Sequence, residues 1–284
     1  MSDWEREYPA PAKLNLFLHV VGRRPDGYHL LQSAFCLIDL ADSLRFAPRR
    51  DGRIRRVHAL AGVAEADDLC VRAARLLQEA SGCDQGVDIA LEKRLPMGGG
   101  LGGGSSDAAT VLLALNRLWR LDWPRARLQA LGLRLGADVP FFLFGRNAFV
   151  EGIGEILTPL SLPPAWYLVV APPATVATAE IFAAANLTRN SKSIKISDFS
   201  AGWDGLSGRN DLEPVVCERH PEVAQALAWL RQRADGRMSG SGACVFARFA
   251  DEQGARAVLG QLPRGSAAWI AQGLDEHPLR TLAG

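Results

Sequence analysis

Residues Pro96 to Ala109 read PMGGGLGGGSSDAA, six glycines in seven positions running directly into two serines and an apolar helical pattern. Backbone without Cβ atoms folds tightly around phosphate oxygens, and the open N–H groups at the start of a helix carry positive partial charge toward them. Pro96, Met97, Gly98, Gly99, Gly100, Leu101, Gly102, Gly103, Gly104, Ser105 and Ser106 therefore form a candidate triphosphate loop. A Walker A loop would need a lysine before its Ser/Thr, and Gly104 passes straight to Ser105. A dinucleotide fold would need an acidic residue ending a second strand about 20 residues on, and Asp122 follows a helical pattern instead. A protein-kinase glycine loop is a hairpin, not a helix start. A flexible linker does not suit a position between a strand and a helix.

Lys13 is one of four lysines in an arginine-rich chain and sits inside an apolar strand pattern, where an unpaired charge is costly. Asp138, in LGADVPFFLFG, is the matching embedded carboxylate. The pair reads either as a structural ion pair or as an acid/base pair, with Lys13 keeping Asp138 ionised to accept a hydroxyl proton in phosphoryl transfer. Ser239, Gly240, Ser241 and Gly242 in MSGSGAC are either a plain tight turn or a second glycine-rich loop facing the transferred phosphate.

The elements that would position these groups alternate along the chain. Ala12 to Val20 alternates as a strand, with Leu14, Leu16, Leu18 and Val20 on one face and Lys13, Asn15, Phe17 and His19 on the other. Pro25-Asp26-Gly27 turns the chain, and Leu30 to Leu40 returns. Asp67 to Ala80 reads as a helix capped by Asp67, and Val87 to Leu95 as the strand before the loop. The helix after the loop is expected over Asp107 to Trp119, started by Ser105, Ser106 and Asp107, with Asp107 turned away from phosphate. Ala126 to Leu135 is a further helix, and Asn147 to Leu157 a hairpin. In the second half, strands are expected at Trp166 to Ala171, Ala243 to Phe249 and Ala267 to Ala271, and helices at Glu222 to Arg233 and Asp251 to Leu262. Thr188 to Ser207 reads as a long polar loop without an assigned role. The Pro-rich stretch near Leu162 divides the chain into expected domains 1–160 and 161–284.

Composition fits a globular, enzyme-sized chain: 284 residues, 48% hydrophobic and 22% charged. A net charge of +1 with scattered arginines gives no field for nucleic acid. Ile156 to Ala179 is uncharged, but five prolines break it into strand, turn and strand rather than a membrane span. The polar start MSDWEREYPAP reads as no secretory signal. Five widely spaced cysteines with no C-x-x-C pair read as reduced thiols in the cytoplasm, and no protein partner is inferred.

With these motifs in order the chain resembles the GHMP kinase superfamily, small-molecule kinases named for galactokinase, homoserine kinase, mevalonate kinase and phosphomevalonate kinase. The likeness covers nearly the whole chain, from PAPAKLNLFLHVVGRRPDGYHLLQS through LPMGGGLGGGSSDAATVLLALN and LGADVPFFLFGRNAFVEGIGE to MSGSGACVF. The pairing of P-A-K-L-N-L with R-x-D-G-Y-H is similar to one branch, whose acceptor is the 2-hydroxyl of a cytidine diphosphate-linked methylerythritol in non-mevalonate isoprene biosynthesis. The resemblance implies a two-domain α/β fold of α+β type with the active site in the interdomain cleft, and ATP with Mg2+ as the donor system. It implies Asp138 as general base, Lys13 as its charged partner, Asn15 toward the substrate, and Lys93 and Ser106 as added contacts to nucleotide or metal. No protein ligand of the metal is assigned. Tyr28 and His29 match the cytidine site, with Phe182 as opposing wall and Thr178 nearby. On the residues alone the Tyr-His pair reads as solvent-facing and Phe182 as core. Another alcohol such as mevalonate or homoserine, or a silent ligand-binding member, remain as rival readings; Tyr28 with His29 speaks against the first and Asp138 against the second.

Overall fold

The computed structural model, which describes residues 2–197, 208–263 and 265–284, is built on two long strands that the sequence half reveals. β1 (Tyr8–Arg23) and β2 (His29–Arg49) pair antiparallel across the Pro-Asp-Gly turn, where Gly27 at φ 93° donates to the Arg24 carbonyl at 3.0 Å. The β1 alternation expected from sequence holds at Lys13 and Asn15 and fails beyond. The register shifts between Asn15 and Leu18, so Phe17 packs with Leu14 and Leu16 while Leu18 and Val20 enter a different core. A bulge inserts a residue and reverses which face each later side chain takes.

The remaining strands are β3 (Ile54–Arg56), β4 (Gly86–Glu92), β5 (Ala148–Glu151), β6 (Ile156–Pro159), β7 (Trp166–Ala171), β8 (Arg237–Met238), β9 (Val245–Phe249) and β10 (Ala267–Leu274). Through the sheet they run β3, β4, β2, β10, β7, β9, β8, with β1 and β5 also on β2 and β6 on β5. The β2 to β10 seam is short, joining Ile38 and Leu37 to Gly273 and Leu274. It links a first half built on β2 to a second built on β7, each with its own hydrophobic core.

The helices are α1 (Leu69–Ser81), α2 (Gly103–Leu118), α3 (Arg125–Leu133), α4 (Val139–Phe144), α5 (Thr178–Ala183), α6 (Glu213–Arg219), α7 (Pro221–Arg231) and α8 (Glu252–Leu259). α2 is central: every residue from Ser106 to Asn116 is buried, because α1, α4 and β1 cover it on different sides. Asp68, not Asp67, caps α1, accepting from the Cys70 N–H at 2.7 Å. α2 begins four residues before Asp107, with Gly102 at φ 71° as its cap and no side-chain capping bond. The serines expected to open it lie inside its first turn, which leaves the glycine N–H groups uncapped. Arg120 and Asp122 adopt positive φ directly after α2, so no strand leads to Asp122. α4, α5 and α6, at six to seven residues, are too short to show a helical period in sequence. The expected loop at 188–207 is irregular through Lys195, and its last ten positions lie outside the described residues. All five cysteines are free thiols, and among the described residues no helix is long and apolar enough to cross a membrane.

Candidate active site

β1 delivers Lys13 to the end of α2. Its side chain is 4% exposed, and its ammonium stands 3.6 Å from Asp138 Oδ2, donates to Asn15 Oδ1 and lies 4.5 Å from the Phe35 ring centre. Burial pushes this ammonium below its ordinary pKa while the Asp138 carboxylate works against that. Asp138 immediately precedes the buried apolar α4, which fixes its backbone; its side chain is 33% exposed and faces the cavity. Asn15 holds Lys13 with its oxygen and donates from Nδ2 to Ser33 Oγ at 3.0 Å. A buried, oriented cation beside a part-exposed carboxylate is suited to proton transfer at the boundary of a cavity.

The two glycine-rich segments are joined by their backbones. Ala243 N and Cys244 N donate to the carbonyls of Gly98 and Gly99 at 3.2 and 3.1 Å, and Ser239 Oγ donates to the Gly100 carbonyl at 2.9 Å while accepting from Asn15 N. A Cβ on Gly100 would lie 2.1 Å from the Ser239 carbonyl oxygen, and one on Gly102 3.2 Å from Lys13 Cε. The loop is thus pressed against the third motif on one side and against Lys13 on the other. Lys13 N donating to the Leu101 carbonyl at 3.0 Å ties strand to loop.

Lys93 lines the cavity, while Asp107 sits differently from expectation. Lys93 Nζ bridges two buried carboxylates, at 2.5 Å to Asp42 and 2.9 Å to Asp107. Asp107 is not turned away; it lines the cavity beside the loop, and its Oδ1 has no partner. Burial pushes the Asp107 carboxyl up to about 8, with Lys93 opposing and Asp42 reinforcing. Burial works against the Lys93 ammonium, but Asp107 and Asp42 outweigh it and raise its pKa. Ser106 is a correction: fully buried, its hydroxyl donates to the Pro11 carbonyl at 2.6 Å, so it locks α2 to β1 instead of reaching nucleotide or metal.

A folded-state pKa above the unfolded value means Asp107 withdraws stability as pH rises from about 4 toward about 8. Lys93→Met leaves Asp42 and Asp107 facing each other without their cation. A loss of about 3–5 kcal/mol in urea unfolding is expected at pH 8.5, shrinking at pH 5.5 where Asp107 binds a proton. A loss independent of pH would show that the carboxylates do not interact through Lys93.

The cavity, about 690 Å³, is lined by Lys13, Asn15, Lys93, Asp138, the loop from Pro96 to Ser105, Thr178, Phe182, Gly240 and Ser241. Ser239 and Gly242 do not line it; they shape the turn behind it. Thr178 and Ser241 hydroxyls share a 2.6 Å hydrogen bond across the cavity wall. Tyr28 and His29 also lie outside the lining. Tyr28 is 60% exposed, while the His29 ring stacks on Phe182 with centroids 5.0 Å apart and planes at 28°. Sequence reasoning missed Asn210, whose Nδ2 donates to the Met238 and Gly240 carbonyls at 2.9 and 2.7 Å and so holds the third motif. It also missed Asp42 and Ser33. The only signal is polar residues within apolar strand, Asp42-Ser43 and Gln32-Ser33.

Profiles of the GHMP kinases N terminal domain and the GHMP kinases C terminal match residues 68–146 and 200–267. A 4-diphosphocytidyl-2-C-methyl-D-erythritol kinase of Thiobacillus denitrificans is 64% identical over 96% of this chain and 96% of its own length. One of Aromatoleum aromaticum is 60% identical over 97% and 96%. A crystal structure of 4-(cytidine 5'-diphospho)-2C-methyl-D-erythritol kinase superposes with TM-score 0.82 at 38% identity, covering 94% of this chain and 99% of that one. A mevalonate kinase structure matches at TM-score 0.69 and 14% identity, over 96% of this chain and all of that one, a likeness of fold alone.

Proposed function

This chain belongs to the GHMP kinases, and from that premise we propose that it transfers the terminal phosphoryl group of ATP to the 2-hydroxyl of 4-diphosphocytidyl-2-C-methyl-D-erythritol. Its full-length relatives are named as kinases of that acceptor. The observation that carries the chemistry is the buried Lys13 ammonium, 3.6 Å from Asp138 and packed beneath Gly102 of the loop. One lysine side chain meets the proton acceptor with its ammonium and the phosphate cradle with its stem.

In this reading the uncapped N–H groups of Gly103 and Gly104 and the loop before them hold the triphosphate. Asp138 accepts or orients the acceptor's hydroxyl proton, and Lys13 offsets charge as the phosphoryl group crosses. Little covalent work falls to the protein, so placement dominates the rate. Magnesium bound with the nucleotide would neutralise phosphate charge. Among the described residues there is no cluster of three metal-binding side chains, and Asp107, whose buried Oδ1 has no partner, would be the carboxylate beside the loop to hold it. His29, Phe182, Tyr28 and Thr178 take the cytidine end, Asn15 the methylerythritol. Division at 160/161 places Asp138 and the glycine loop in the first domain and the third motif in the second. Free, mostly buried thiols favour a cytoplasmic setting.

An ATP-dependent phosphorylation assay of the purified protein, with the cytidylated methylerythritol, mevalonate and homoserine as parallel acceptors, tests the proposal. Turnover of the cytidylated acceptor alone is expected. Turnover of another alcohol would keep the kinase and overturn the substrate; ATP binding without any turnover would make the protein a silent member of the fold.

A further inference from the structure

Arg189 lies in the polar stretch to which the sequence assigns no role. Its guanidinium donates to four acceptors: the carbonyls of Leu187 at 3.1 Å, Phe182 at 3.0 Å and Ala184 at 2.7 Å, and His29 Nε2 at 3.1 Å. Three of these fasten it to the end of α5 and the turn beyond, so the fork is fixed before it meets the histidine. The segment carrying it is pinned as well. Ser191 N donates to the Val20 carbonyl at 3.0 Å, and Ile194 N to Gln32 Oε1 at 2.8 Å. Arg189 therefore joins both members of the stacked His29 and Phe182 pair, one through its ring and the other through its backbone.

Guanidinium has donors only, so His29 Nε2 must present its lone pair, and the proton of the neutral ring sits on Nδ1. The ring is kept neutral by its surroundings: burial lowers its pKa first, then the charges of Arg189 and Arg23. We propose that Arg189 is a positioning residue for nucleobase choice, holding His29 against Phe182 as the Nδ1–H tautomer so that the ring offers a single fixed donor to the base. This rests on the assignment of His29 to the cytidine end of the acceptor. Cytosine and uracil share the O2 acceptor and differ at position 3, which is an acceptor nitrogen in cytosine and an N–H donor in uracil. A histidine locked as donor and facing position 3 pairs with cytosine and leaves two donors opposed with uracil. A ring free to exchange tautomers can accept as well as donate, and loses that distinction.

The test uses the full-length protein labelled with 15N at the histidine rings. The wild-type His29 signals are expected to report Nδ1–H, and those of Arg189→Ala a population moved toward Nε2–H. In kinetics, Arg189→Ala is expected to raise KM for the cytidylated acceptor about tenfold and to lower the preference for it over its uridine-linked analogue, with KM for ATP unchanged. Arg189→Lys keeps a cation without the fork and gives an intermediate loss should the alanine variant not fold. A wild-type proton on Nε2, or unchanged base preference in a variant whose tautomer has shifted, overturns the proposal. His29→Ala separates the two layers. If it raises acceptor KM while Arg189→Ala does not, the role of Arg189 alone falls; if it leaves acceptor KM unchanged, the assignment of His29 to the base falls and takes the proposal with it.

Discussion

Asp138→Asn is expected to lower turnover by about two to four orders of magnitude while ATP binding stays within a few-fold of wild type. The substitution keeps the size of the side chain and its place ahead of α4, but removes the negative charge and the proton-accepting oxygen. Lys13 is the reason the effect falls on chemistry and not on folding. Its ammonium keeps Asn15 Oδ1 and the Phe35 ring as partners, so it is not stranded when Asp138 loses charge. With the carboxylate gone, the Lys13 ammonium loses the group that opposes burial, and its pKa falls further. The variant's residual activity should therefore decline as pH rises, because protonated Lys13 is the form that stabilises the transferring phosphoryl group. Single-turnover kinetics at saturating ATP over a pH series, with nucleotide binding measured separately, checks both statements. Near-normal turnover would reduce the Lys13–Asp138 pair to a structural ion pair.

How much of this site is legible in sequence depends on whether its parts are local. The glycine run, the lysine inside an apolar strand and the embedded aspartate each announce themselves within ten residues, because each breaks a pattern that its neighbours maintain. What holds them together does not. Ser239 to Gly100, Lys93 to Asp42 and Arg189 to His29 are contacts across 139, 51 and 160 positions, and they use ordinary polar residues in polar or mixed surroundings. Ser106 misleads for a related reason. A serine after glycines at a helix start suits a phosphate contact, yet α2 starts earlier than expected and rotates that hydroxyl onto the Pro11 carbonyl. The strand faces of β1 are legible only up to the bulge after Asn15, since a period of two carries no mark of an inserted residue. Longer elements such as α1, α2, α3, α7 and α8 survive small errors at their ends; the short α4, α5 and α6 have too few residues to define a face.

Gly100→Ala should sharply weaken the nucleotide site, and its contrast with Gly104→Ala separates loop geometry from glycine content. At Gly100 the backbone holds φ at 71°, a region costing an alanine roughly 1–2 kcal/mol, and the new Cβ would stand 2.1 Å from the Ser239 carbonyl oxygen. That neighbour is backbone, so no rotamer relieves the clash. Relief requires the first glycine loop to part from the third motif, which breaks the hydrogen bonds of Ala243 and Cys244 to Gly98 and Gly99 and of Ser239 to Gly100. A stability loss of about 3 kcal/mol or more and a rise in KM for ATP of at least about tenfold follow from strain and lost backbone bonds combined. Gly104 lies inside α2, and its Cβ would meet only the end of the Leu69 side chain, at 3.3 Å. Alanine there gains helix propensity of roughly 0.5–1 kcal/mol, which offsets the tight contact, and leaves the first-turn N–H groups in place. Urea unfolding and ATP titration of both variants should therefore diverge sharply. Equal damage at the two positions would mean that the cradle depends on glycine throughout for close approach of the phosphates, whereas the expected divergence would locate its rigidity in the backbone contact between the two loops.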